Sequence, residues 1–566
     1  MPSREEMWDQ VPDHVDVVVI GGGINGAGIA RDAARRGLRV ALFEQNDFAF
    51  GTSSRSSKLI HGGLRYLETY ELGLVFESVS ERRIVRELAP HLVTPLAFIF
   101  PVYEGSRKSL WLINIGMWLY DSLSMFRSTH RTLKPRQVAD EEPTLKQDDL
   151  RGAPIYYDCA TNDARLTLEN AIDAADHGAS VVSWAPVQSL LRDADGRVSG
   201  IVAKDTRTGA LKEVEAPVVI NATGPWADGV LNMGDARRSK LLRPTKGVHI
   251  VVDAEKLPVS HAVALFHPTD DRAFFAVPWG DCTYVGTTDT DYDGAPGEEH
   301  ATLADIDYLI EAANFYFCDH PLTRGDVIST WSGLRPLVAE DADSGSTSES
   351  RVSREHRIVV GEDGLITVAG GKLTTFRKMS KETVDTAVRR WVRLGGEPSC
   401  LRPSDTGKHP LPGAKGWSAG GEKMAERVRE ASDGSLPLDV CSYLARTYGV
   451  RALEVAERCA SDPAQRRPVI EGRPEIVAQI DWAVTEEFAA SVSDVLVRRT
   501  QVFYRDRDQG LGAVDEVAAR MGAIIGWSED ERRDRVEEYR LRVALSRRWR
   551  TEAETVPKDS VVAAST

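Results

Sequence analysis

The strongest indication of the fold is the sequence Val17-Val18-Val19-Ile20-Gly21-Gly22-Gly23-Ile24-Asn25-Gly26. Val15 and residues 17–20 are apolar without alternation along 17–20, which is typical of a parallel strand buried on both faces. The glycines after it fit the pattern G-x-G-x-x-G, and the segment 24–36 predicts a helix that ends at Gly37. Residues 40–43 predict the next strand. The unit is therefore a strand, turn, helix and strand, as in an α/β protein.

Three glycines and one acid of this unit predict a dinucleotide site. Gly21 allows the tight turn, Gly23 lets a pyrophosphate approach the backbone, and Gly26 lets the helix pack closely on the strand. Glu44 ends the second strand, where a carboxylate would bind the ribose hydroxyls of an adenosine. The acid disfavours a 2′-phosphate, so NAD or FAD is favoured over NADP. The alternative is a glycine-rich turn with a structural role alone.

Length and composition limit the classes of function. The 566 residues allow two to four domains at about 100–200 residues each. The net charge of −15 argues against a nucleic-acid partner and against polybasic attachment to anionic lipid. The six cysteines are dispersed without metal-ligand spacing, so we predict reduced thiols and no metal site. The N-terminal residues lack the apolar run of a signal peptide, which predicts a cytoplasmic protein.

The remaining chain predicts two further regions. Strands are predicted at 181–182, 201–202 and 218–220, the first two separated by the turn Asp193-Ala194-Asp195-Gly196. Short strands over about 241–340 predict a mainly antiparallel sheet with a role other than nucleotide binding. An exposed loop is predicted at 341–350.

The last third of the chain is predicted to be helical. Residues 396–420 are rich in Pro, Gly and Lys and predict a linker, and 421–550 predict a helical C-terminal domain. Its apolar residues from Ile476 to Leu496 recur at helical spacing, which places the Glu486–Glu487 side in solvent. Residues 551–566 carry no pattern and predict a tail.

Five further motifs stand in one order along the chain. They are Ser-Ser-Lys-Leu-Ile-His-Gly-Gly-Leu-Arg-Tyr-Leu-Glu (56–68), Ala-Thr-Gly-Pro-Trp-Ala-Asp (222–228), Val-Gly-Thr-Thr-Asp (285–289), Ser-Gly-Leu-Arg-Pro-Leu (332–337) and Gly-Gly-Lys-Leu-Thr-Thr-Phe-Arg-Lys (370–378). In this order they resemble the FAD-dependent glycerol-3-phosphate dehydrogenases, within the wider group of D-amino-acid-oxidase-like flavoproteins. The similarity runs from about residue 15 to 550.

The resemblance implies FAD as the cofactor and assigns its contacts. The implied FAD-binding residues are Gly21, Gly23, Gly26, Glu44, Lys58, Leu59, His61, Val187, Gly224, Leu373 and Thr374. The implied substrate-binding residues are Arg65, Tyr66 and Arg354, and the implied catalytic residues are Arg335, His249 and Lys372. The cations suit a phosphorylated polyol, because guanidinium and ammonium groups recognise phosphate. The alternatives are surface ion pairs for the arginines and a buried core histidine for His249.

The expected fold is α/β. A doubly wound FAD-binding domain is interleaved over residues 15–395 with the antiparallel substrate domain, and the all-helical domain follows. The resemblance implies oxidation of sn-glycerol 3-phosphate to dihydroxyacetone phosphate, with hydride passing from C2 to flavin N5 and electrons passing to a quinone. An oxygen-using glycerophosphate oxidase and a non-catalytic FAD-binding regulatory module are the alternatives. The sequence leaves the oligomeric state open, with a homodimer as one possibility.

Residues 107–126 are the most apolar segment and contain two tryptophans. Its nearly uncharged part, Ser109 to Tyr120, is far shorter than the ~20 apolar residues that span a bilayer. A buried core helix is one interpretation. The other is a helix that lies in the interface on the inner face of the cell membrane, where Trp and Tyr favour the headgroup level.

Overall fold

The computed structural model describes residues 4–63, 71–106, 108–123, 130–233, 240–339, 356–417 and 420–555. Three predicted substrate residues, Arg65, Tyr66 and Arg354, lie outside the described residues, as do the predicted loop 341–350 and residues 556–566 of the predicted tail.

The described strands, in chain order, are β1 (Val17–Ile20), β2 (Val40–Phe43), β3 (Leu59–Ile60), β4 (Val93–Ile99), β5 (Val102–Tyr103), β6 (Arg131–Leu133), β7 (Leu150–Thr161), β8 (Ser180–Val182), β9 (Val187–Arg192), β10 (Val198–Lys204), β11 (Leu211–Glu215), β12 (Val218–Asn221), β13 (Leu242–Asp253), β14 (Ala262–Phe266), β15 (Ala273–Trp279), β16 (Cys282–Gly286), β17 (Thr290–Asp291), β18 (Ser329–Val338), β19 (His356–Val360) and β20 (Ile366–Gly370).

The described α-helices are α1 (Arg4–Asp9), α2 (Ile24–Arg36), α3 (Leu72–Leu88), α4 (Leu110–Leu123), α5 (Pro135–Glu141), α6 (Asp163–Asp176), α7 (Ala227–Leu231), α8 (Leu303–Tyr316), α9 (Phe376–Arg393), α10 (Gly420–Ala431), α11 (Leu438–Tyr448), α12 (Ala452–Ser461), α13 (Ala478–Glu486), α14 (Val502–Arg505), α15 (Val514–Ile525), α16 (Glu529–Ser546) and α17 (Arg548–Thr555).

A six-stranded sheet forms the nucleotide-binding half of the molecule. Its strand order is β19-β20-β12-β1-β2-β8, and all pairs are parallel except β19 with β20. All four residues of β1 are buried, as the unbroken apolar run predicted. Gly37 ends α2 with φ 98°, a left-handed conformation that favours glycine. The predicted helix 24–36 and strand 40–43 are confirmed.

The turn at 193–196 joins different strands from those we predicted. It connects β9 with β10 in a three-stranded antiparallel sheet, whereas 180–182 belongs to the parallel sheet as β8 and pairs with β2. The prediction missed β9 because its sequence, Val-Gln-Ser-Leu-Leu-Arg, lacks a regular alternation of buried and exposed residues.

A large, mostly antiparallel sheet forms the second half. Its order is β17-β13-β16-β15-β14-β4-β7-β3, with β18 pairing with β13. The strands predicted within 241–340 are confirmed. The sheet also takes β3, β4 and β7 from an earlier part of the chain, which is the interleaving that the sequence predicted at the level of domains.

Helical packing forms the C-terminal region, and one prediction there is wrong. Glu487 is buried rather than exposed, and it accepts hydrogen bonds from Arg165, with 2.8 Å between Nη2 and Oε1. Helix α13 ends at Glu486, and Phe488 has φ 61°, so the apolar periodicity spans a break in the helix. Periodicity alone could not reveal a buried partner 322 residues away.

The predicted linker packs tightly against the nucleotide-binding half. Arg35 Nε donates to Asp405 at 2.7 Å, Arg31 donates to the His409 carbonyl at 2.7 Å, and Leu411 is buried. Helix α17 makes residues 551–555 helical, although they were predicted as the start of the tail. Among the described residues, no helix is long and apolar enough to cross a membrane.

Candidate active site

The carboxyl ends of β1, β2, β12 and β20 open into one cleft of about 490 Å³. Ligands of open α/β sheets bind at such an edge, where the direction of chain connection reverses. Seven of the predicted FAD-binding or catalytic residues line it: Gly21, Gly23, Glu44, Val187, Gly224, Lys372 and Leu373. Residues of β13 and β18 close the opposite side, so the cleft lies between the two sheets.

The glycine turn leaves no room for side chains at two positions. Gly21 has φ 103°, and a Cβ on Gly26 would lie 1.8 Å from the Gly21 carbonyl oxygen. Gly23 precedes α2 without a side-chain cap. The N-terminus of α2 therefore meets the cleft with backbone groups, which suits a phosphate.

Glu44 is held at the end of β2 by two backbone donors. Its carboxylate accepts from the Gly22 N–H at 2.6 Å and from the Asn46 N–H at 2.8 Å. Burial raises the pKa of Glu44 to about 7. A carboxylate that lines the cleft at this point suits the hydroxyls of a ribose.

At the far wall, Gly224 has φ 56°, and a Cβ there would meet open space. The small residues and backbone of this cleft fit an extended dinucleotide such as FAD.

Three further predicted cofactor residues lie beside the cleft rather than in its lining. Leu59 is in β3 and is buried. The backbone of His61 exchanges two hydrogen bonds with Thr374 Oγ1, both at 3.1 Å. This fixes the His61 turn next to Lys372 and Leu373, which do line the cleft.

The side chain of Lys58 makes a different contact from the FAD contact that the resemblance implies. Its ammonium forms a buried ion pair with Asp163, with 2.8 Å between Nζ and Oδ1, and it lies 5.2 Å from the Trp331 ring centroid. Removal of either partner would leave an uncompensated buried charge, so Lys58 and Asp163 depend on each other in the folded protein. A role of Lys58 in binding FAD stays a prediction.

His249 lies on β13 in an aromatic, dry environment. Its ring stacks on Trp331 with centroids 4.6 Å apart, and Nε2 lies 3.0 Å from Ser57 Oγ. Burial lowers the pKa of His249 well below its usual value, and the neighbouring Arg335 and Lys58 charges lower it further. The imidazole is therefore neutral at physiological pH.

Arg335 and Lys372 come from the two halves of the molecule. Arg335 on β18 pairs with Asp289, with 2.9 Å between Nη1 and Oδ1, and its Nη2 donates to the Thr288 carbonyl at 3.1 Å. The next residue, Pro336, lines the cleft, as does Lys372 at the end of β20. The structure thus places Lys372 in the lining of the cleft, whereas Arg335 is one residue away from the lining and its charge acts on His249.

Sequence reasoning missed Trp331, Ser57 and Asp289 as neighbours of the catalytic candidates. Asp289 ends the motif 285–289, and Ser57 lies in the motif 56–68. The motifs therefore contained both residues, but the sequence did not show that they contact Arg335 and His249. Trp331 precedes the motif 332–337 by one residue, and only the β13–β18 pairing places it opposite His249.

Replacing His249 with alanine tests whether the neutral imidazole is a base or a core residue. We expect kcat to fall by about 100-fold or more, a typical contribution of general-base catalysis. Steady-state kinetics and a thermal melt of the same sample give the answer. An unchanged kcat with a lowered Tm would show that His249 only fills the core.

The depressed pKa of His249 also predicts a pH effect on stability. Unfolded histidine binds a proton near pH 6.5, whereas the buried ring does not, so the free energy of unfolding falls as the pH drops through this range. His249→Asn is expected to lack this part of the acid sensitivity in denaturant titrations at pH 7 and pH 5.5. Equal losses of stability for both proteins would contradict the assignment.

Comparison with known protein families agrees with this geometry. The family model for FAD dependent oxidoreductase matches residues 16–377, and the model for the C-terminal domain of alpha-glycerophosphate oxidase matches residues 404–532. The fold and cleft define the chain as an FAD-dependent oxidoreductase, and its cofactor is FAD.

Relatives that align over nearly the whole chain identify the family within the FAD-dependent oxidoreductases. An aerobic glycerol-3-phosphate dehydrogenase from Staphylococcus haemolyticus is 37% identical over 538 residues, 94% of each chain, and one from Staphylococcus saprophyticus is 36% identical over 548 residues, 96% of each chain. A glycerol-3-phosphate dehydrogenase from Bacillus halodurans, solved in complex with FAD, is 32% identical with a TM-score of 0.79, covering 96% of this chain and 98% of that one. The chain belongs to the family of FAD-dependent glycerol-3-phosphate dehydrogenases.

The fold extends to more distant proteins. An L-alpha-glycerophosphate oxidase from Mycoplasma pneumoniae has a TM-score of 0.54 at 16% identity, covering 71% of this chain and all of that one. This likeness shows a shared fold.

Proposed function

We propose that the protein oxidises sn-glycerol 3-phosphate to dihydroxyacetone phosphate and passes the electrons to a quinone in the membrane. The observation that carries the proposal is the position of Lys372 in the FAD cleft, in a chain whose relatives, aligned over nearly their full length, are named aerobic glycerol-3-phosphate dehydrogenase.

The charges of the site match the substrate. A phosphate monoester carries between about 1.5 and 2 negative charges at neutral pH. An ammonium group binds it as a point charge, and a guanidinium group binds it through two parallel hydrogen bonds. Asp289 accepts from Nη1 of Arg335, and the Thr287 hydroxyl and the Thr288 carbonyl accept from Nη2, so these contacts fix the orientation of the guanidinium group. Arg65, Tyr66 and Arg354 stay predicted substrate contacts.

The chain's own groups position the substrate and move its proton. FAD, when bound, supplies the redox chemistry by taking hydride from C2 of the substrate at N5. His249 is neutral, so its imidazole is in the state that accepts the hydroxyl proton. Trp331 and Tyr284 pack around His249 and keep its ring away from water.

Helix α4 supports a quinone acceptor. Trp111 and Trp118 are 70% and 61% exposed, and Leu112 and Ile115 are exposed between them. The adjacent helix α3 adds Phe76, which is 52% exposed. Contiguous exposed apolar surface of this kind marks an interaction site. Tryptophans on a short apolar helix are typical of the lipid headgroup region, so we assign this face to a bilayer.

Electrostatics cannot supply the attachment. The net charge of −15 opposes anionic lipid, so apolar insertion of α4 has to hold the protein on the membrane. We therefore propose a cytoplasmic protein bound peripherally to the inner face of the cell membrane. A homodimer stays a prediction.

Replacing Trp111 and Trp118 together with Ser tests the attachment. Vesicle sedimentation is expected to show salt-resistant binding of the wild type and at least tenfold weaker binding of the double variant, because burial of two large aromatic side chains is lost. Phe315→Ser removes an exposed aromatic side chain from α8 and serves as the control. Equal binding of all three proteins would return α4 to a non-membrane role.

The competing function is an oxygen-using glycerophosphate oxidase. The description of the matching C-terminal domain model and the fold of the Mycoplasma pneumoniae enzyme favour it as the alternative. Purified protein assayed with sn-glycerol 3-phosphate against oxygen and against a quinone analogue separates the two. We expect fast reduction of the quinone analogue and little hydrogen peroxide. Efficient peroxide formation without quinone reduction would make the oxidase assignment correct.

A further inference from the structure

The buried face of α4 is bonded to a turn beside the FAD cleft. Tyr120 lies on this face, and its hydroxyl donates to Asp158 Oδ1 at 2.7 Å. The backbone N–H of Gly62 donates to two oxygens, to Tyr120 Oη at 3.0 Å and to Asp158 Oδ1 at 3.1 Å. Helix α4, whose other face is exposed and apolar, is thus hydrogen-bonded through Tyr120 to Gly62, the residue after His61.

Arg82 from α3 completes the network. It pairs with Asp158, and its Nη1 donates to Tyr120 Oη at 3.0 Å and to the Tyr157 carbonyl at 2.9 Å. Burial and the neighbouring Asp158 carboxylate raise the pKa of Tyr120 well above its usual value, so the phenol keeps its proton and stays a donor. The buried groups satisfy one another, which makes the arrangement specific.

The other side of the turn is held from the cleft. Thr374 Oγ1 bonds to the backbone N–H and carbonyl of His61, and Thr374 directly follows Leu373 in the cleft lining. The His61–Gly62 turn therefore lies between the hydroxyl of Tyr120 and the segment that borders the cofactor.

The packing around Gly62 leaves no space for a side chain. A Cβ there would lie 2.2 Å from Tyr120 Oη and 2.6 Å from a methyl group of Val79. A displacement of α4 at Tyr120 must therefore be accommodated by the turn, because protein interiors are close-packed and transmit small shifts.

We propose that Tyr120 is a positioning residue that couples the seating of α4 on a lipid bilayer to the placement of the His61–Gly62 turn beside FAD. The proposal rests on the proposed function for its membrane partner. The tether itself rests on the contacts of Tyr120, Asp158 and Arg82.

Hydrogen–deuterium exchange of the FAD-loaded protein tests the tether directly. Tyr120→Phe keeps the ring and removes one of the two acceptors of the Gly62 amide, so we expect exchange of this amide to be about fivefold faster. Tyr156→Phe is the matched control, because Tyr156 is buried in the same cluster, 6.1 Å from the Tyr120 ring. Its exchange at Gly62 should equal that of the wild type.

Phosphatidylcholine vesicles test the coupling. They should slow exchange at Gly62 in the wild type and leave it unchanged in Tyr120→Phe. The variant should also show a shifted visible flavin spectrum and a severalfold lower kcat for sn-glycerol 3-phosphate at an unchanged KM. Unaltered exchange at Gly62 in Tyr120→Phe would overturn the tether whatever the activity. Equal wild-type exchange with and without vesicles would overturn the coupling to the bilayer.

Discussion

Arg335→Ala and Lys372→Ala are each expected to lower kcat/KM for sn-glycerol 3-phosphate by about 10- to 150-fold. Loss of one charge-assisted hydrogen bond to a buried ion costs about 1.5–3 kcal/mol, which corresponds to this range. Arg335 is oriented by Asp289, and Lys372 lines the cleft, so under the proposed function both cations would meet the substrate phosphate from fixed positions. Arg65→Ala is expected to act on ground-state binding and raise KM instead.

Arg324→Ala is the control for these variants. Arg324 also forms an ion pair with an aspartate, Asp307, but it lies on the exposed surface, where such pairs contribute little. Steady-state kinetics of the purified, FAD-loaded proteins provide the comparison. A wild-type kcat/KM in both Arg335→Ala and Lys372→Ala would refute the assigned substrate site.

Gly26→Ala is expected to abolish stable FAD binding and to lower the free energy of unfolding by about 1–3 kcal/mol. The added methyl would collide with the Gly21 carbonyl and push α2 away from β1, and overpacking of a close contact costs about this much. The displaced helix N-terminus would no longer meet the cofactor phosphates.

Gly73→Ala is the matched helical control. A Cβ at Gly73 meets nothing within 4 Å, so alanine there should leave stability unchanged or raise it slightly. Visible absorption after gel filtration measures retained flavin, and denaturant titration measures stability. Full FAD occupancy and wild-type stability of Gly26→Ala would contradict the close helix–strand packing.

Local signals predicted the nucleotide-binding unit well. The strand at 17–20, the helix 24–36 and the strand 40–43 follow from the apolar run, the glycines and the stop at Gly37, all within 27 residues of sequence. The chemistry of such a unit is local, since neighbouring residues decide the turn and the helix end.

Long-range contacts could not be predicted in the same way. The buried ion pair of Arg165 and Glu487 joins positions that are 322 residues apart. The helical periodicity around Glu487 predicted an exposed side chain, because it carries no information about such a distant partner. The contact of Tyr120 with Gly62 spans 58 residues, and no local signal announces it. A buried polar side chain is recognisable only when its partner is known.

In the candidate site too, residues placed by local structure were predictable, and residues whose surroundings come from distant parts of the chain were not. Gly21 and Glu44 line the cleft because they directly follow the parallel strands β1 and β2, and Gly23 lines it because it precedes α2 in the same turn. The surroundings of Lys58 and His249 depend on Asp163 and Trp331, which come from other parts of the fold, so their environments could not be inferred from their own motifs.

Anaerobic titration of the purified protein with sn-glycerol 3-phosphate measures whether this substrate reduces the bound flavin. The protein should carry the visible spectrum of bound FAD, and the substrate should bleach it in proportion to the amount added, with dihydroxyacetone phosphate as the product. Glycerol without phosphate should leave the spectrum unchanged, because it lacks the negative charge that guanidinium and ammonium groups recognise. An FAD-loaded, folded protein whose flavin stays oxidised with excess sn-glycerol 3-phosphate would contradict the account.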